Sequence, residues 1–121
     1  PIQYAFSFPE RLYLKGERLD LFKQQRLEFF EPDTNKFKCL AVAYEAIDKG
    51  GNMPCILNAA NEVVNAAFRR NECSFLGMAD VIEQTMQQAT FDKNPNLDVY
   101  LQTDAEARTI AQRLVLKAST L

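Results

Sequence analysis

Residues 56–68 read I-L-N-A-A-N-E-V-V-N-A-A-F. The large apolar residues Ile56, Leu57, Val63, Val64 and Phe68, with the small Ala60 and Ala67, recur at three- and four-residue steps. That is the period of a helix with one face in a core. The same helix carries Asn58, Asn61 and Glu62 on neighbouring turns, since positions three and four apart share a face. Asparagine is a mediocre helix former because its side chain competes for backbone hydrogen bonds. Asn58, Asn61 and Asn65 within one helix therefore call for a reason beyond propensity, and the small alanines beside them let another backbone come close. The stretch reads as the central helix of a bundle, with a polar seam that specifies a contact.

Around that helix the totals are ordinary. A chain of 121 residues is one domain's worth and can bury a core without a disulfide or metal. Charged residues make up 25% with a net charge of -2, and they are interspersed, which argues against a nucleic-acid binder. There is no histidine, and the three cysteines, Cys39, Cys55 and Cys73, form no C-x-x-C pair, so a zinc site lacks its ligands. The cysteines read as small buried hydrophobes in a reducing compartment, with Cys73 the most exposed of them. No apolar run approaches the roughly 20 residues of a membrane span. The expectation is a cytoplasmic protein with no membrane and no nucleic acid among its partners. The chain starts at Pro1 without a methionine and enters helical sequence almost at once, so it reads as a piece of something longer.

In chain order, residues 1–8 form a short helix with Pro1 in its first turn, stopped by Pro9. Residues 10–20 are irregular, and residues 27–30 (L-E-F-F) have the density of a short strand. A lone strand cannot stabilise itself, so its sheet would lie elsewhere. From Asp33 the texture is helical: Asp33 or Thr34 caps, and Phe37, Leu40, Ala41, Tyr44 and Ile47 make a stripe that Gly50-Gly51 ends. Asn52 caps the central helix, with Pro54 in its first turn. A third helix runs over about 76–89 with Met78, Val81, Ile82, Thr85 and Met86 inward, and Phe75 pins the preceding link to the core. Residues 97–102 are undecided between extended and helical. Thr103-Asp104-Ala105-Glu106 fits a capping box, followed by a last helix with Ala107, Ile110, Ala111, Leu114, Val115 and Ala118 on one stripe. The fold expected is mainly α: a four-helix antiparallel bundle preceded by a short helix and one orphan strand.

Chemistry is scarce. Without histidine there is no imidazole base and no serine–histidine dyad, and Gly50-Gly51 lacks a phosphate-loop pattern. No catalytic, cofactor-binding or metal-binding residue is assigned. Glu45 with Asp48, or Glu62 with an asparagine, are isolated helical carboxylates of the usual solvated kind. The cluster Asn58, Asn61, Glu62 reads as a buried or half-buried network to the backbone of a neighbouring loop, with direct ligand contact as the other reading.

Several blocks occur in order: P-I-Q-Y-A at 1–5, P-E-R-L at 9–12, L-D-L at 19–21, E-P-D at 31–33, C-L-x-x-A-Y-E-A at 39–46, L-N-A-A-N-E-V at 57–63 and D-A-E-A-R at 104–108. Together they resemble the C-terminal part of the deoxyxylulose-phosphate reductoisomerase family. The resemblance implies an NADPH-dependent oxidoreductase of non-mevalonate isoprenoid biosynthesis. Such an enzyme also uses Mg²⁺ or Mn²⁺ and converts deoxyxylulose phosphate to methylerythritol phosphate. It implies that residues 1–31 are the tail of the catalytic domain and 32–121 the C-terminal helical domain, inactive alone. The metal ligands and phosphate-binding residues of the family precede the matching segment, so none is carried onto this chain. On this reading Asn58, Asn61 and Glu62 hold the surface that packs toward the catalytic domain. The partner implied is the rest of the enzyme; separately, Ile2, Tyr4, Phe6, Phe8, Leu27, Phe29 and Phe30 without their sheet predict a homodimer or swapped oligomer of this chain, by a route of its own. Two other readings stay open: a free-standing helical protein-interaction module, and a helical domain with a small-molecule pocket near Asn58 and Glu62.

Overall fold

The 56–68 stretch lies inside helix α4 (Met53–Arg69), which touches every other helix of the bundle: α3 (Lys38–Lys49), α5 (Phe75–Gln88) and α6 (Leu97–Ala118). These belong to a computed structural model that describes residues 2–118, with side chains through Leu116. Pro1, placed by the sequence in the first helical turn, and the Ala118 side chain lie outside the described residues. The chain divides into two units, Pro1–Glu31 and Pro32–Leu121.

In the second unit the core is aliphatic and alanine-rich. Ile56, Ala59, Ala60, Val64 and Ala67 of α4 meet Met78, Val81, Ile82 and Met86 of α5 and Ala107, Ala111 and Leu114 of α6. The inward residues expected on α5, and those expected on α6 as far as Val115, are all buried. Successive helices alternate in direction, so α4 and α6 run the same way, side by side. The Tyr100 hydroxyl donates to the Gly51 carbonyl (3.4 Å) near their starts, and Arg108 reaches Glu62 further along. Alanine on both helices permits this close packing; Ala59, Ala60, Ala107 and Ala111 are all fully buried. α3 packs on α4 and α5 but not on α6 among the described residues.

Several local expectations are corrected. Residues 27–30 form no strand; no ladder partner exists for them among the described residues, and a strand without one has nowhere to place its backbone hydrogen bonds. Asp33 caps a turn, its Oδ1 accepting from Asn35 and Lys36 N–H (3.1 and 2.9 Å), while α3 begins later with Phe37 at its cap. The inward residues of α3 are Val42 and Ala46, whereas Phe37, Tyr44 and Ile47 face away from the core. α6 starts at Leu97, where Asn96 Oδ1 accepts from Val99 N–H (2.9 Å). Thr103 is therefore already inside the helix, its amide supplied by the preceding turn, and no capping box forms. Phe75 is exposed at 68% and pins nothing to the core; it meets Phe68 edge-on at 6.0 Å.

In the first unit, α1 (Ile2–Ser7) is the expected short helix. A single turn, α2 (Leu21–Gln24), appears where none was foreseen, with Asp20 accepting from Phe22 and Lys23 N–H. No residue from 2 to 31 is buried.

Candidate functional site

The outward face of α4 carries Asn58, Asn61, Glu62 and Asn65, all exposed. A helix that buries Ile56, Ala60, Val64 and Ala67 must turn the positions between them outward, and that is where the asparagines fall. The expected buried or half-buried network to a neighbouring loop does not form among the described residues; these side chains stand on the surface of the bundle. Asn58 Nδ2 donates to Glu62 Oε1 at 3.4 Å, a long bond one turn away. Neither Asn61 nor Asn65 makes a side-chain hydrogen bond to the described residues.

Glu62 has a second partner that the sequence reading missed. Arg108 of α6 donates through one terminal nitrogen to Glu62 Oε2 (2.6 Å) and through Nε to Asp104 Oδ2 (2.7 Å). The hydrogen bonds that Arg108 donates to Asp104 and Glu62 push the guanidinium pKa further up, so Arg108 stays charged throughout. The clamp ties α4 to α6 and holds the Glu62 carboxylate in place. Its side chains are 36–54% exposed, so it contributes on the order of 0.5 kcal/mol and sets geometry more than stability. The Asp104–Arg108 spacing of four residues was the available signal, a helical ion pair within the D-A-E-A-R block. Cys55 sits nearby, with Sγ 3.7 Å from the Tyr100 carbonyl oxygen. Burial pushes its thiol pKa up, Asp104 adds to this, and Arg108 opposes it. Cys39, not Cys73, is the exposed cysteine; Cys73 packs against the core.

Beneath this surface lies a buried polar node. Asn52 stands at the N-cap of α4, as the sequence expects, but makes no side-chain cap bond. Its Nδ2 donates to the Thr90 carbonyl and the Thr103 hydroxyl (both 2.9 Å), and its Oδ1 accepts from Asp92 N–H (2.9 Å). Its own amide donates to the Asp92 carbonyl at 3.0 Å. Glu106, freed from any capping role, accepts from the Thr90 hydroxyl at 3.0 Å. Gly51 makes room for the 90–93 link: its φ is +56°, and a Cβ there would overlap the Asp92 carbonyl oxygen. The node fixes where α4 starts relative to α6, and so fixes the register of the clamp above it.

As a binding surface this arrangement offers uncharged amides and one held carboxylate. Among the described residues no three His, Cys, Asp or Glu side chains converge as a metal site, and no helix is long and apolar enough to cross a membrane. Gly50, with φ +65°, closes α3 by donating to the Ala46 carbonyl, so the glycine pair is a helix stop and not a phosphate cradle. The residues present do not fit a dinucleotide or a divalent cation.

Comparison with known proteins follows the same blocks. The family model described as DXP reductoisomerase C-terminal domain matches residues 1–110. The 1-deoxy-D-xylulose 5-phosphate reductoisomerase of Bacteroides fragilis is 59% identical over 97% of this chain, which covers 30% of that protein. That of Bacteroides thetaiotaomicron is 58% identical over 95% of the chain, again 30% of the relative. Among solved structures, the reductoisomerase from Zymomonas mobilis in complex with NADPH is similar at a TM-score of 0.78 and 35% identity, over 94% of this chain and 30% of that one. A DOX-P reductoisomerase in complex with magnesium is similar at a TM-score of 0.74 and 28% identity, over 98% of this chain and 32% of that one. The chain thus spans about a third of the length of the relatives it matches.

Proposed function

The chain belongs to the DXP reductoisomerase C-terminal domain family, and from that premise we propose that it is the helical end of a reductoisomerase converting deoxyxylulose phosphate to methylerythritol phosphate. The relatives' complexes with NADPH and magnesium support those two as the enzyme's cofactors. The ligands for both would come from the polypeptide outside this chain, because the residues here do not fit either group. The chain alone would then be inactive. Residues 1–31 are assigned to the tail of the catalytic domain, and 32–121 to the C-terminal helical domain. The absence of any buried side chain from 2 to 31 supports this, since a segment without a core of its own needs a larger body. A homodimer and a cytoplasmic location complete the reading; three free thiols suit a reducing compartment.

The role assigned to 32–121 is to buttress the catalytic domain through Asn58, Asn61 and Glu62. The observation that carries it is the exposure of Asn61 and Asn65 on a helix interior with no side-chain hydrogen bond among the described residues. An amide gives up little on desolvation if the partner returns its bonds, and asparagine can both donate to and accept from a loop backbone. The test is Asn61→Ala in the full-length polypeptide, assayed by NADPH oxidation and thermal melting. A loss of about 1 kcal/mol of stability, a matching loss of activity, or both is expected. Unchanged values in both assays would reject the role.

A further inference from the structure

The outer face of α3 is apolar and uncovered. Phe37, Leu40, Tyr44 and Ile47 recur at helical steps on the side opposite Val42 and Ala46, and Phe37, Tyr44 and Ile47 are 55, 53 and 69% exposed. Phe75 and Leu76 of α5, at 68 and 76%, lie with Phe37 along a groove of about 360 Å³ between the first turns of α3 and α5. The Lys38–Asp80 ion pair (3.3 Å) spans the same two helices beside it. A helix with its large apolar residues outward and small ones inward is made to be covered on both sides. An apolar stripe with a charged flank also has the layout of an interface core and its rim.

We propose that this face of α3 docks into an apolar groove of the reductoisomerase polypeptide lying outside this chain. The proposal rests on the reading of the chain as the helical end of that enzyme. Two observations select this occupant over a second copy. The chain covers only 30% of its relatives, so the larger part of the polypeptide is available to cover the face. The stripe also opens at Phe37, where the link that follows Glu31 runs into α3. A body joined through that link meets the stripe intramolecularly, at an effective concentration a separate copy does not match. Spacing of three, four and three residues between the anchors is what a helix uses to enter a groove.

The test compares Tyr44→Glu/Ile47→Glu in the 121-residue chain and in the full-length polypeptide, by melting, trypsin cleavage after Lys36, and solution mass. In the chain alone, the melting temperature should stay as in the wild type, because both residues already face water. In the full-length wild type, cleavage after Lys36 should be at least about tenfold slower than in the chain alone, since two anchors are buried. The double variant should lose that protection with its mass unchanged, and Tyr44→Phe should keep it. Melting of the variant chain would put the face in the core and overturn the proposal. Unchanged protection of the full-length variant would overturn it too, as would loss of protection only together with a halved mass, which would assign the face to a second copy. Failure of the underlying family reading shows separately, as a wild-type full-length polypeptide that does not oxidise NADPH with the sugar phosphate.

Discussion

At Asn52, three side-chain hydrogen bonds and two main-chain bonds converge at a residue that is 1% exposed. Replacing it with alanine leaves the part-buried Asp92 amide and the buried Thr103 hydroxyl without their partner. We expect Asn52→Ala to cost about 3 kcal/mol in urea denaturation, with no change in the helices away from the 90–93 link. The sequence put Asn52 beside a helix start, where asparagine ordinarily caps, and its true partners lie 38 to 51 positions away. Nothing local encodes such a pairing, so this residue was legible as polar and placed, but not as buried. The cysteines repeat the lesson. Cys39 should alkylate with iodoacetamide at pH 8 before Cys55 and Cys73, followed by peptide mapping, because it is exposed and the other two are partly covered. Burial first, then Asp104 for Cys55 and Asp80 for Cys73, pushes both covered thiols up. Their folded state holds the proton more tightly, so this stability is complete below the unfolded thiol pKa and is lost as pH rises through the raised folded value. Labelling of Cys55 or Cys73 first would contradict the packing.

Among the helices, α4, α5 and α6 were readable because each has one apolar stripe and one polar face. α3 was not, because it is apolar on two sides. Periodicity shows that a helix has a stripe but cannot say which of two stripes turns inward, and here the small Val42 and Ala46 do so while the larger residues face out. The start of α6 was misplaced for a related reason: T-x-x-E is a cap only where no earlier residue has begun the helix, and Asn96 had. The α4–α6 pairing yields a contrast between two substitutions. Ala111→Leu forces bulk into a fully buried contact and should destabilise by about 2 kcal/mol. Arg108→Ala removes a half-exposed clamp and should cost under about 1 kcal/mol. Thermal melts of the two variants check the order, and a larger loss at Arg108 would mean that the clamp and not alanine packing holds the helices together.

For the molecule as a whole, the unmatched features point outward. Leu27, Phe29 and Phe30 are 66, 89 and 83% exposed in a segment that the sequence expected as a strand. The Asn61 and Asn65 amides of α4 and the apolar outer face of α3 likewise stand exposed among the described residues. The family blocks were legible because they are contiguous. The surfaces those blocks present were not, because which side of a helix stays exposed is decided by tertiary packing that no contiguous block encodes. The most direct measurement is NADPH oxidation with deoxyxylulose phosphate and Mg²⁺ by three proteins: the full-length polypeptide, the same lacking residues 32–121, and the 121-residue chain alone. A buttressing domain predicts activity in the first, strong loss in the second and none in the third. Full activity without 32–121, or turnover by the isolated chain, would contradict it.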